Sequence, residues 1–169
     1  MIIVFIVVLG IVLSISFVYM DHLEARKRKA ALFYQFSKLG SKYGMSFTSQ
    51  EMLAQRIIGL DAIMQKILVY EIQDNEFDWY LINLKEVERC TVKRVYGRID
   101  ADAFDKKHIE DYLEMIALEF YFKDNQRSVA LPFYIKLQNA PEEIPELENK
   151  AKDWEVILGK MLFREVKRA

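Results

Sequence analysis

The chain begins with an unbroken apolar run and settles into shorter periods only later. Residues 1–20, MIIVFIVVLGIVLSISFVYM, carry no charge. A helix of that length spans about 30 Å, the thickness of a bilayer's hydrocarbon core. Such a helix has no solvated face. The run therefore predicts a transmembrane helix embedded in the lipid bilayer, with Tyr19 at the interface. A cleaved signal peptide is the competing reading. It calls for a basic start and a small-x-small cleavage site, whereas this chain starts apolar at Ile2 and offers only Ser14-Ile15-Ser16.

Asp21-His22-Leu23-Glu24-Ala25 follows the run, and then Arg26, Lys27, Arg28 and Lys29. Positive charge beside a span stays on the cytoplasmic side. The expected topology is a single pass through the cell (inner or plasma) membrane, N-terminus out and C-terminal domain cytoplasmic. The same four cations are candidate membrane-surface contacts, since each basic residue near an anionic leaflet gains about 1 kcal/mol.

Past the basic cluster the period becomes helical. Leu32, Phe36, Leu39 and Tyr43 recur at spacings of four, three and four, and Gly40 and Gly44 mark the end of the stripe. Residues 21–45 thus read as a basic helical stalk. Its stripe over 32–43 either packs on the protein's own domain or forms the seam of a parallel homodimer. Thr48-Ser49-Gln50-Glu51 then matches a helix capping box, and the segment to Gln55 reads as either helix or loop.

Residues 46–169 form the globular domain, and most of it alternates. Arg56–Asp61, Lys66–Ile72, Phe77–Leu84 and Val87–Val95 read as strands separated by turn residues. The clearest alternation sets Ile116, Leu118, Phe120 and Phe122 on one face, with Glu119, Tyr121 and Lys123 on the other. The returning strand offers Val129, Leu131, Phe133 and Ile135 as its inner face, which leaves Tyr134 outside. Pro132 marks that strand as an edge or turns that position outward. Between the strands, Asp105 is a candidate cap for a short helix through Ile109 and Tyr112. The chain ends in an amphipathic helix: Leu147, Ala151, Trp154, Leu158 and Met161 share a stripe, acids crowd its start and bases its end.

The order is about six antiparallel strands and one closing helix: α+β, a small antiparallel barrel or sheet covered by a C-terminal helix. That order, with Trp154 aimed at the sheet, resembles the pleckstrin-homology-like fold over Arg56 to Arg164. The resemblance implies a bent, seven-stranded antiparallel barrel closed at one end by the helix. With the N-terminal anchor, the whole is similar to bacterial single-pass membrane proteins. Phosphoinositide-binding members of the family crowd bases around the first hairpin. Here that hairpin, Gly59 to Ile67, holds only Lys66, with Arg56 just before it.

Composition narrows the function classes. Charged residues make up 29% of the chain and the net charge is -1, which is not the balance of a nucleic-acid binder. A single cysteine, Cys90, excludes an intramolecular disulfide, and the two histidines lie far from it and from each other, so no zinc spacing exists. No phosphate loop, nucleophile elbow or metalloprotease motif occurs, and nothing asks for a cofactor or a catalytic role. The expected function is a membrane-anchored interaction module that presents its domain to a protein partner, with Tyr121 and Tyr134 as candidate contacts. The alternative is an inner-leaflet lipid or envelope sensor using Arg26, Lys27, Arg28 and Lys29.

Overall fold

The computed structural model describes residues 20, 26–27, 29–73, 76–97, 106–124 and 127–166. The chain divides into two compact units, Met1–Ser46 and Phe47–Ala169.

In the first unit, helix α1 covers residues 29–42, with Leu32 and Phe36 buried and Leu39 and Tyr43 half-buried. Its end is built by Gly44, whose φ of 63° lies in the left-handed region. The Met45 N–H reaches back to the Gly40 carbonyl (2.9 Å) and the Gly44 N–H to Ser41 (3.0 Å), which satisfies carbonyls that the last turn would otherwise orphan.

Among the described residues no helix is long and apolar enough to cross a membrane. The described part of α1 carries Lys29, Lys38 and Lys42, and the helix over 144–166 is laced with acids and bases. The single-pass placement, and the cytoplasmic localisation that depended on it, are corrected accordingly. The apolar run that suggested them lies, apart from Met20, outside the described residues, as does Arg28.

The described residues of the second unit hold seven strands and one long helix. Strands β1 (Ser49–Met52), β2 (Arg56–Asp61), β3 (Lys66–Gln73) and β4 (Glu76–Asn83) form one antiparallel sheet in sequence order. Strands β5 (Val87–Tyr96), β6 (Leu113–Phe122) and β7 (Ser128–Ile135) form a second. Helix α2 (Ile144–Val166) follows. The architecture is α+β as expected, but the strands divide into two sheets rather than closing into a barrel.

Strand β1 replaces the capping box read from Thr48-Ser49-Gln50-Glu51. The backbone N–H and hydroxyl of Thr48 both donate to the Leu60 carbonyl, at 2.8 and 3.0 Å, and this pulls the segment into register with β2. The β2–β3 turn is fixed by Asp61, a buried carboxylate whose Oδ1 accepts the N–H groups of Ile63 and Met64 at 2.9 and 2.8 Å. The short helix expected through Ile109 and Tyr112 is present as a 3-10 helix, Lys106–Tyr112, and Asp105 lies outside the described residues.

One core joins the two sheets and α2. Ile58, Leu60, Ile67 and Val69 face Ile116, Leu118 and Phe120, and the α2 residues Leu147, Ala151, Trp154 and Leu158 complete it. The stripe read from the sequence is the buried face of α2 because its four-three spacing keeps those side chains on one side of the helix.

Candidate interaction surface

The residues expected to meet a partner are not left open. Tyr134 is only 2% exposed rather than on the outer face. The cause is a β-bulge: Ile116 pairs with Tyr134 but Ala117 pairs with Pro132, so Phe133 is the extra residue. The bulge sits beside the proline, which cannot donate to the ladder, and it turns both Phe133 and Tyr134 inward. Tyr121 does lie on the outer face, half-buried. Its ring is covered by the Arg89 guanidinium, 3.8 Å from the centroid, and its hydroxyl donates to Glu119 at 2.8 Å. Lys93 pairs with the same Glu119. Arg26, Lys27 and Lys29 are exposed.

Two sheets that do not close leave four edge strands, and an edge is where a protein partner most readily adds a strand. Three of these edges are blunted. Strand β5 is held by α2: the Val92 N–H donates to Glu155 at 3.1 Å, and Arg94 pairs with Glu148 of the helix. Strand β7 carries Pro132 and its bulge, and the Pro132 carbonyl accepts from Arg56. Strand β1 is only four residues long, with Glu51 paired to Lys150 of α2 at 3.2 Å.

Strand β4 is the remaining edge, eight residues long. The Leu84 N–H donates to Gln65 at 2.9 Å, which sets the alternation of the β3–β4 ladder. Counting back through the register, the backbone groups of Phe77, Trp79 and Leu81 point away from β3. Their side chains lie on the face opposite Tyr80 and Ile82, the residues that meet the core. Phe77 is 56% and Trp79 38% exposed, so two large rings stand beside outward backbone on one strand. Phe77 is not loose: its ring stacks on Tyr70 of β3, with centroids 5.7 Å apart and planes 15° from parallel.

The edge is also acidic. Asp78 is exposed and its Oδ1 accepts the Trp79 N–H at 2.7 Å. The neighbouring strand places Glu71 directly opposite Asp78. Tyr80, next in line, has its hydroxyl pushed up to about 12, first by burial and then by the nearby Glu71 carboxylate.

Burial pushes the Cys90 thiol up to about 11, with Glu155 adding to the shift, which makes it a poor nucleophile at neutral pH. Among the described residues, no group of three metal-ligating side chains converges. The cleft between Leu53–Arg56 and Phe133–Asn139 has a volume of 10 Å³, room for a single water.

Sequence reasoning passed over Phe77 and Trp79. The segment FDWYLINL is apolar on both faces, which is a signal. Its place at an edge is not in the sequence, because strand order is set by pairing between distant residues.

Compared with family models, with curated proteins and with solved structures, the chain matches none.

Proposed function

We propose that the second unit is a protein-interaction module that takes an extended segment of a partner as an added strand along β4. The observation that carries this reading is the pairing of outward backbone with exposed rings at Phe77 and Trp79. Main-chain hydrogen bonds along such an edge supply affinity, and pockets for alternate side chains supply specificity. Aromatic anchors are the side chains that most often dominate binding energy. The other edges are blunted in the ways natural sheets use against unwanted pairing, so β4 stands apart from them.

We also propose that the unit has a pleckstrin-homology-like arrangement. Seven antiparallel strands followed by a helix that buries Trp154 on the sheets support that reading.

The test is a nuclear magnetic resonance titration of the isotope-labelled full chain with a blocked peptide as long as β4, eight residues of alternating Thr and Val. The expected result is amide shifts concentrated at Phe77–Leu81 and lost in a Phe77→Ser, Trp79→Ser double variant. Shifts concentrated on β1, β5 or β7 instead would remove the reading.

A further inference from the structure

A row of charges crosses the four-stranded sheet and stops at the open edge. In register, Arg56 faces Glu71 across β2–β3, and Glu71 faces Asp78 across β3–β4. Arg56 and Glu71 form an ion pair at 3.4 Å, with side chains 9% and 19% exposed. The sequence of signs is plus, minus, minus. Like charges directly opposite in a ladder are destabilising, and opposite charges stabilise it. Arg56 does not reach over to Asp78, because it is committed to Glu71 and to the Pro132 carbonyl.

Asp78 also guards the edge. Its carboxylate holds the Trp79 N–H, whose direction is outward. A strand that pairs with β4 takes that N–H for its own ladder. The carboxylate is then left beside Glu71 without its donor, a cost for any neutral partner and a larger one for an acidic partner.

We propose that the β4 edge selects an extended protein segment that sets a Lys or Arg opposite Asp78, with apolar residues on both sides of that cation packing on Phe77 and Trp79. The proposal rests on the reading of β4 as the docking edge. Side chains alternate along a strand, so the cation and its neighbours fall on opposite faces, as Asp78 and its two aromatic neighbours do. The completed row reads plus, minus, minus, plus. A charge preference of this kind also weakens pairing with acidic strands, further copies of this acidic edge among them.

The experiment uses fluorescence anisotropy with the full chain and three labelled, blocked peptides of alternating Thr and Val. Each has the length of β4, eight residues, and carries Lys, Gln or Glu at its centre. The Lys peptide is expected to bind the unmodified chain most tightly, on the order of fivefold better than the Glu peptide. Asp78→Lys should reverse that order. Asp78→Asn, which keeps an acceptor for the Trp79 N–H but drops the charge, should level it. Equal binding of the Lys and Glu peptides, or an order unchanged in Asp78→Lys, overturns the charge selection and leaves the docking edge standing. If none of the three binds at β4, the docking edge and the charge selection both fall.

Discussion

Arg56 of β2 donates from Nη1 to the carbonyl of Pro132 on β7, 2.5 Å away, and so ties one sheet to the bulge of the other. The contact explains a buried charge that hydrophobic packing alone would not retain. Arg56 is 7% exposed. Its Nε keeps the ion pair with Glu71 but makes no hydrogen bond, so the guanidinium is held mainly by charge and by the Pro132 carbonyl. Burial lowers its pKa, opposed by Glu71.

Arg56→Ala strands Glu71 without its cation and Pro132 without its donor. The expected loss of stability is about 3 kcal/mol, in the range for breaking a mostly buried pair from one side. Urea denaturation measures it. Arg56→Met, which keeps the volume, combined with Glu71→Gln should recover much of the loss. A single Arg56→Ala substitution that left the midpoint unchanged would show that the contact does not hold the sheets together.

Trp154→Ala should be the most damaging single change in α2, at about 3–5 kcal/mol. Trp154 is 4% exposed and lies in the core shared by both sheets. Val156, two residues on and so on the opposite side of the helix, is 53% exposed and is the control: Val156→Ala should stay within about 0.5 kcal/mol. Thermal unfolding of the two variants side by side checks the difference.

Stability should fall in acid through Glu148. Hydrogen bonds from Arg94 first, and then Lys152, hold its carboxyl below the ordinary value of 4.5. A carboxylate with a depressed folded-state pKa contributes fully above its unfolded value and loses that contribution as pH drops through the folded one. Glu119 behaves the same way, with Lys93 as the main cause. The unfolding midpoint should therefore be level from neutrality down to about 4.5 and decline below it. Glu148→Gln should lower the plateau and make the acid limb shallower. An acid limb of unchanged slope would assign the loss to other groups.

Cys90 should resist alkylation. With its thiol at about 11 against an ordinary 9.0, the thiolate fraction at neutral pH falls about a hundredfold. Iodoacetamide labelling of the native chain should be slower than labelling in urea by at least that factor. A native rate close to the unfolded rate would place Cys90 in a more open setting than the one described.

The elements that could be read from the sequence are those whose signal is local. Helix α2 declares itself through the spacing of Leu147, Ala151, Trp154 and Leu158 and through the charges at its ends. Strand β6 does so by the alternation of Ile116, Leu118 and Phe120, all fully buried. The misreadings arise where pairing decides. Ser49–Met52 has no strand pattern of its own and becomes β1 through hydrogen bonds from Thr48 to Leu60. Tyr134 follows the alternation of its strand on paper, but the bulge at Phe133 inverts it. Phe77 and Trp79 look like two more strand aromatics until the order of the sheet puts them at its edge.

Hydrogen exchange at the amides of β4 tests the docking edge most directly. In the chain alone, the N–H groups of Phe77 and Leu81 should exchange much faster than those of Tyr80 and Ile82, which point toward β3. Addition of the Lys-centred peptide should slow Phe77 and Leu81 and leave β5 and β7 unchanged. Outward amides already as protected as their neighbours in the chain alone, or unaffected by a peptide that slows another strand, would contradict it.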